Sequence, residues 1–133
     1  IYDDYAHHPT EVRVTLDAAR PLCSGKLVAI FQPHLYSRTR RFFSEFAQVL
    51  LETDIVVVTD IYGSRELPEK GITGELVVSQ AVSYGHRNAH YVKNRVDVAR
   101  YLLPFLQEDD MVITLGAGDV YKTSDELLSL LRG

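Results

Sequence analysis

Acidic, phenolic and imidazole side chains are concentrated near the start of the sequence, where Asp3, Asp4, Tyr5, His7 and His8 fall within six residues. Carboxylates and imidazoles can bind a metal ion, although adjacent histidines are expected to point apart. A carboxylate can also hold a ribose diol, and an imidazole can stack on a base, as in a nucleotide site. A third interpretation is a structural turn in which Asp3 or Asp4 caps the helix that follows. The spacing alone leaves all three interpretations open.

A second cluster, at residues 32–41, is rich in potentially cationic side chains, among them His34 and Arg38. It lies where a predicted strand gives way to a predicted helix, and a helix N-terminus favours anions. Arg38 can add a bidentate grip on a carboxylate or a phosphate. Arg40 and Arg41 are expected to point elsewhere, since neighbours one or two apart on a helix do not share a face. The alternative to an anion site is a solvated basic surface.

The third cluster is the glycine-containing segment 116–123, whose letters GAGDVYKT resemble a phosphate-binding loop. That motif requires glycine immediately before the Lys-Ser/Thr pair, and Tyr121 stands there. The dinucleotide fingerprint is excluded as well, because it needs glycine or alanine at position 121. The segment therefore predicts a tight strand-to-helix turn that other parts of the chain can approach closely.

These clusters need a scaffold, and the pattern of the chain indicates one. Strands are predicted over 1–4, 26–31, 54–59, 90–92 and 110–115, and helices over 10–20, 38–52, 74–84, 94–103 and 124–131, with Thr73 and Ser124 or Asp125 as N-caps. Alternating strands and helices are typical of a parallel sheet covered on both faces. We predict a Rossmann-like three-layer α/β/α sandwich with five helices and a six-stranded, mostly parallel sheet, one strand more than the five segments named above. In such folds ligands bind at the carboxyl ends of the strands, and residues 62–72 are expected to form the one mobile connection.

The composition limits the classes of function. The 133 residues fit one domain, and 46% hydrophobic with 24% charged residues is typical of a soluble globular protein. The net charge of −4 argues against nucleic acid as the main partner, and no apolar run approaches the roughly 20 residues that span a membrane. No signal peptide is evident. The single cysteine, Cys23, excludes an internal disulfide and fits a reducing compartment.

Two further expectations concern the limits of the chain and its chemistry. The sequence begins with Ile1 rather than methionine, so we expect one domain of a larger protein. No serine, histidine and acid arrangement has a recognisable nucleophile elbow. We therefore predict no catalytic residue in this chain. We name no metal ligand, because the adjacent His7 and His8 are expected to point apart, and we expect His86 and His90 to be surface or packing residues.

The segments DDYAHHPTEV, FQPHLYSRTR and TLGAGDVYK, in this order, resemble the C-terminal third of the Mur ligases. The resemblance runs from Tyr2 to about Leu131 and is greatest to the members that join L-alanine to UDP-N-acetylmuramate. It implies a cytoplasmic three-domain enzyme of peptidoglycan precursor synthesis. In such an enzyme a first domain binds the UDP substrate, and a central domain binds ATP and Mg²⁺ through a phosphate loop. The C-terminal domain then brings the amino acid to an acyl phosphate and is expected to be inactive alone.

The same resemblance implies roles for five residues. Asp4 matches the aspartate that contacts the ATP ribose, and His7 matches a histidine beside the adenosine. Tyr5, His34 and Arg38 match positions around L-alanine, with Arg38 as the expected partner of its carboxylate.

The resemblance leaves some positions open. It assigns no role to Asp3 or His8, and Leu35 stands where many members of the family have arginine. The loop at 65–71 also differs from the family pattern. Two alternatives to the L-alanine enzyme remain: a related family member that recycles murein peptides by joining a tripeptide to the same sugar, and a stand-alone module that binds a nucleotide or an amino acid.

Overall fold

Five strands alternate with five helices in the computed structural model, which describes all residues from Ile1 to Gly133. The strands are β1 (Tyr2–Asp4), β2 (Leu27–Phe31), β3 (Ile55–Val58), β4 (Ala89–Tyr91) and β5 (Met111–Leu115). The helices are α1 (Pro9–Ala19), α2 (Tyr36–Leu50), α3 (Glu75–Ser83), α4 (Val98–Leu102) and α5 (Lys122–Arg132). Short 3₁₀ turns at Arg20–Leu22, Arg95–Asp97 and Leu103–Phe105 flank α1 and α4.

All strands are parallel, and their order in the sheet is β1-β5-β2-β3-β4. The central strand β2 has β3 on one side and β5 on the other, with Phe31 in register with both Val58 and Leu115. Parallel strands need crossover connections, and the five helices provide them or follow the last strand. The predicted Rossmann-like three-layer α/β/α sandwich is therefore confirmed.

The core is divided by the sheet into two apolar layers. Successive residues of a strand point to opposite faces, so Leu27, Ala29 and Phe31 of β2 pack with α1, α2 and α3. Val28 and Ile30 pack with α4 and α5 on the other face. Every residue of β2 is buried, which explains why this strand is continuously apolar rather than alternating.

The predicted number of six strands is wrong, because the sheet has five. The only further strand-like pairing is an isolated parallel bridge between His34 and Tyr62. That bridge lies beyond the carboxyl ends of β2 and β3. The chain after Tyr62 turns immediately, with Ser64 at a positive φ of 55°, so the bridge cannot extend into a sixth strand.

The helices begin and end within a few residues of the predicted positions. Gly74, not Thr73, is the N-cap of α3, although the Thr73 hydroxyl accepts the backbone N–H of Glu75 at 3.2 Å. The predicted caps of α5 are wrong, because α5 begins at Lys122 and Ser124 lies inside its first turn. The longest helix has 15 residues, and none is both apolar and long enough to pass through a bilayer.

Candidate functional site

The carboxyl ends of all five strands lie along one edge of the sheet, because the strands are parallel. The three polar clusters follow β1, β2 and β5, which are neighbours in the sheet. The helices after β1 and β2 pack on one face, whereas the helix after β5 packs on the other. The connections after β1 and β2 therefore leave the sheet toward one face, and the connection after β5 leaves toward the other. Open α/β sheets bind ligands in the crevice between such diverging connections.

The first cluster is fixed by short-range hydrogen bonds. Oδ1 of the half-buried Asp4 accepts the backbone N–H of Ala6 at 2.8 Å, while Oδ2 makes no hydrogen bond. Nδ1 of His7 lies 3.0 Å from the Tyr5 carbonyl oxygen. The Glu11 carboxylate accepts the backbone N–H groups of His7 and His8, at 3.3 and 3.0 Å, as α1 begins. Asp4 and His7 are thus held in place, while Oδ2 of Asp4 stays available to a ligand.

Asp3 has a different environment from its neighbour. Its Oδ1 accepts the hydroxyls of Thr114 on β5, at 2.6 Å, and of Ser124 on α5, at 2.5 Å. Both hydroxyl residues are buried. Asp3 therefore joins β1, β5 and α5 and has a structural role, which the sequence did not indicate.

His34 and Arg38 form the centre of the second cluster. Nη1 of Arg38 lies 3.2 Å from Nδ1 of His34, and the imidazole stacks on Tyr62 with ring centroids 6.0 Å apart. The His7 ring approaches His34 edge-on at 5.7 Å, so the first two clusters meet. Burial, followed by the charges of Arg38 and His7, lowers the pKa of His34 below its usual 6.5. His34 is therefore neutral at pH 7, and its Nδ1 can accept a hydrogen bond from the guanidinium.

Arg38 borders an open depression of about 560 Å³. Its walls are formed by His8, Leu35, Ser37, Arg38, Arg40, Arg41 and Phe42. Arg40 pairs with Glu69 at 2.6 Å, and the Arg41 guanidinium lies 5.2 Å from the centroid of the Phe42 ring. Arg38 has no carboxylate partner, and its charge is available to an anion in this depression.

The expectation that Arg40 and Arg41 point away from Arg38 is wrong in part. Both have their own partners, yet both border the same depression. Arg41 is three residues from Arg38, which is nearly one helical turn, and such residues share a face. The depression is therefore more basic than the sequence analysis predicts.

Tyr5 and Leu35 flank this region in different ways. The Tyr5 side chain is 71% exposed, and its hydroxyl makes no hydrogen bond. Leu35 is the N-cap of α2 and has a positive φ of 72°, which is uncommon for a residue other than glycine. Its backbone N–H donates to the Tyr62 carbonyl oxygen at 2.9 Å. The loop after β3 is thereby attached to the start of α2.

Residues 63–70, which follow Tyr62, make further contacts with α2. The Glu66 carboxylate accepts both the backbone N–H of Ser37, at 3.1 Å, and the Ser37 hydroxyl. These hydrogen bonds hold the pKa of Glu66 below its usual value. With the ion pair between Arg40 and Glu69, they anchor the loop at two points on either side of Arg38. Sequence analysis missed Glu66, since no local pattern links it to a serine 29 residues away.

The third cluster forms the tight turn that was predicted. Both polar atoms of the buried Gln32 amide bind this turn. Nε2 donates to Asp119 at 2.8 Å, and Oε1 accepts the Val120 N–H at 3.2 Å. A Cβ on Gly118 would lie 2.6 Å from Cγ of Tyr62, so glycine is required for this close approach. Arg95, in the 3₁₀ turn before α4, reaches Asp119 at 3.3 Å. A glutamine directly after an apolar strand was the only sequence signal for this network.

The metal interpretation of the first cluster has no geometric support. No three histidine, cysteine, aspartate or glutamate side chains lie close enough together to hold an ion. Nδ1 of His7 faces a carbonyl oxygen, and His8 packs against Phe42 with ring centroids 5.0 Å apart. His86 is a packing residue, as expected, since it is buried and lies 3.1 Å from the Thr53 hydroxyl.

A family model described as the glutamate ligase domain of Mur ligases matches residues 1–118. The chain belongs to the Mur ligase family. It is 45% identical over 133 residues to the UDP-N-acetylmuramate–L-alanine ligase of Salinibacter ruber, an alignment that covers 99% of this chain and 28% of that protein. This Mur ligase chain thus spans about a quarter of the length of the curated relatives it matches.

Solved structures agree with this membership. The UDP-N-acetylmuramate-alanine ligase of Thermotoga maritima has a TM-score of 0.77 and 28% identity to this Mur ligase chain, covering 97% of it and 26% of the solved chain. A murein peptide ligase from Psychrobacter arcticus has a TM-score of 0.73 at 20% identity, covering 96% and 26%. The second similarity shows the shared fold alone.

Proposed function

We propose that this chain is the C-terminal, amino-acid-binding domain of a ligase that joins L-alanine to UDP-N-acetylmuramate with ATP. The observation that carries the proposal is the unpaired guanidinium of Arg38 beside a neutral His34, at the first turn of α2. The names of the relatives at 40–48% identity support the choice of L-alanine. The reaction uses ATP and a UDP sugar, so we place it in the cytoplasm and in peptidoglycan precursor synthesis.

The amino-acid half of the site has one cation and one neutral donor. Arg38 binds the carboxylate of L-alanine through a charge-assisted, bidentate contact. Nδ1 of His34 accepts from Arg38, so the neutral ring carries its proton on Nε2 and can donate a hydrogen bond to the ligand. The exposed Tyr5 completes the site from the side of β1.

The residues at the end of β1 fit a nucleotide from a second domain. Asp4 keeps Oδ2 available for a ribose hydroxyl while Oδ1 holds the backbone turn. The side chain of His7 is 30% exposed, so its ring can lie beside adenosine. This chain has no acidic cluster for Mg²⁺, and we propose that a central domain holds the ion and most of the ATP. When bound, ATP activates the muramoyl carboxylate as an acyl phosphate.

The proposed work of this domain is positioning. The amine of L-alanine attacks the acyl carbon, and the new C–N bond forms. Inorganic phosphate leaves with the electron pair of the broken C–O bond and takes up the proton that the amine loses. Holding the amine within attack distance can lower such a barrier by several kcal/mol, out of a limit of roughly 7–11 kcal/mol. Closure of the domain also excludes water, which would otherwise hydrolyse the acyl phosphate.

Phosphate release by the intact protein that contains this chain tests the proposal. The assay contains ATP, Mg²⁺ and UDP-N-acetylmuramate, with L-alanine, glycine, L-serine or the murein tripeptide as acceptor. We expect release that depends on L-alanine, with glycine and L-serine as weak substrates, because one methylene changes selectivity by only about 1–3 kcal/mol. Release driven by the tripeptide would assign the chain to the recycling ligase. No release with any acceptor would favour a stand-alone binding module.

A further inference from the structure

The anion-binding position at the start of α2 already contains a carboxylate from the same chain. Ser37 lies in the first turn of α2, where backbone N–H groups have no partner within the helix. Glu66 takes this N–H with one carboxylate oxygen and the Ser37 hydroxyl with the other. The Ser37 N–H is therefore not available to a ligand carboxylate that binds Arg38.

Glu66 also contributes charge to the site. Ser37 and Arg38 border the same depression, and Glu66 is bound directly to Ser37. The negative charge of Glu66 acts on His34 as well, where it partly opposes the lowering of the pKa by burial. The ligand environment thus has two cations without a carboxylate partner, Arg38 and Arg41, and the fixed negative charge of Glu66 lies beside Arg38 on Ser37.

We propose that Glu66 is a specificity-determining residue that excludes amino acids with a second carboxylate. Arg38 takes the α-carboxylate, and the charge of Glu66 repels a further anionic group at the same end of α2. An uncharged side chain meets no such repulsion. This inference rests on the proposed function, since it assumes that an amino acid binds beside Arg38.

The two acidic anchors of the loop provide a matched comparison. Glu69 belongs to the same loop but is paired with Arg40, so its charge is already balanced. Glu66→Gln removes the charge at the site while its amide can still hydrogen bond to Ser37. Glu69→Gln removes the other anchor of the loop. Glu66→Asp keeps the negative charge on a side chain one methylene shorter.

The experiment measures kcat/KM of the intact ligase for L-alanine, L-serine and L-aspartate. In Glu66→Gln we expect the ratio of L-aspartate to L-alanine to rise about tenfold, the scale on which one repulsive charge discriminates between ligands. The ratio of L-serine to L-alanine should not change, and Glu66→Asp should reject L-aspartate as the parent does. An unchanged L-aspartate ratio in Glu66→Gln would overturn the inference, as would an equal rise in Glu69→Gln.

Two controls separate the possible failures. Activity of the unmodified parent with L-alanine is measured first, and its absence would refute the proposed function together with this inference. If the parent is active, only the L-aspartate ratio decides the role of Glu66. Should Glu66→Gln fail to fold, Ser37→Ala takes its place, because it removes one of the two contacts that hold the carboxylate. A smaller rise in the L-aspartate ratio is then expected, and no rise would refute the inference.

Discussion

Nη1 of Arg38 lies 3.2 Å from Nδ1 of His34, four residues earlier in the chain. A guanidinium can only donate, so this contact requires a neutral imidazole with a bare Nδ1. The pair therefore holds a positive charge and a neutral donor in a fixed relation at the end of β2.

Replacement of Arg38 tests the amino-acid site. Arg38→Ala is expected to raise the KM for L-alanine about 10- to 100-fold, since hydrogen bonds to charged groups contribute roughly 1.5–3 kcal/mol. Steady-state kinetics of the intact protein that contains this chain should show an unchanged KM for UDP-N-acetylmuramate. Arg13→Ala, at an exposed position of α1, is the control. An unaltered KM for L-alanine would remove Arg38 from this role.

Asp4→Asn tests the nucleotide contact without disturbing the turn. The amide oxygen can still accept the Ala6 N–H, so the melting temperature should not change. The KM for ATP is expected to rise roughly 5- to 10-fold, because a charge-assisted hydrogen bond becomes a neutral one of about half the strength. Asp17→Asn, on the exposed face of α1, should leave the KM for ATP as it was. Equal values in Asp4→Asn and the parent would exclude the contact.

Asp3→Ala is expected to reduce stability rather than substrate binding. Its removal leaves the buried hydroxyls of Thr114 and Ser124 without their acceptor, which costs about 1–3 kcal/mol of the free energy of unfolding. Urea denaturation of the 133-residue chain measures this loss. In Asp3→Ala/Thr114→Val one of the two hydroxyls is also absent, and part of the stability should return. A loss in the double variant equal to the sum of the single losses would show that the contact contributes nothing.

The environment of His86 makes stability depend on pH. Its Nδ1 accepts the backbone N–H of Asn88 at 3.0 Å. Its Nε2 lies 3.1 Å from the hydroxyl oxygen of Thr53, which itself donates to the Leu50 carbonyl oxygen at 2.6 Å. A second proton on the ring would face the Asn88 N–H. The folded protein therefore favours the neutral form.

The direction of the pH effect follows from the pKa. Burial lowers the pKa of His86 below 6.5, although hydrogen bonding with Thr53 and the charge of Asp54 oppose this effect; the nearby charge of His90 adds to it. As the pH falls, the unfolded chain therefore binds more protons than the folded chain. The contribution of neutral His86 to the free energy of unfolding is complete above pH 6.5 and is lost as the pH falls through the folded pKa. His34 and His90 also have lowered pKa values and act in the same direction.

Urea denaturation at pH values above and below 6.5 should show this decline. His86→Gln removes one titrating group and should give a shallower dependence on pH, even though it is less stable at neutral pH. The same slope in the parent and in His86→Gln would exclude His86 as a source of the effect.

The buried strands could be predicted because they are continuously apolar. The predicted segments 26–31, 54–59 and 110–115 contain β2, β3 and β5 and are longer than these strands by one or two residues. The order of the strands could not be predicted, since a helical crossover of similar length can reach either neighbour. The start of α5 was missed because Ser124 resembles a cap, whereas its hydroxyl binds Asp3, far away in the sequence.

The candidate site was predictable to the extent that its residues follow strands. Asp4, His7, His34 and Arg38 lie at the expected edge, and the contact of His7 with His34 joins two of the predicted clusters. Tyr62 and Glu66 were not predicted as site residues. They belong to a loop without hydrophobic periodicity, and their partners are known only once the chain has folded.

The position of β5 between β1 and β2 has a consequence for synthesis on the ribosome. β5 is the last strand to emerge, yet the first two strands touch each other only through it. Until residue 115 has left the exit tunnel, β1 has no partner and β2 has one edge of unpaired backbone N–H and C=O groups. We expect the nascent domain to remain open to chaperones for most of its translation, and to complete its sheet in one late, long-range step.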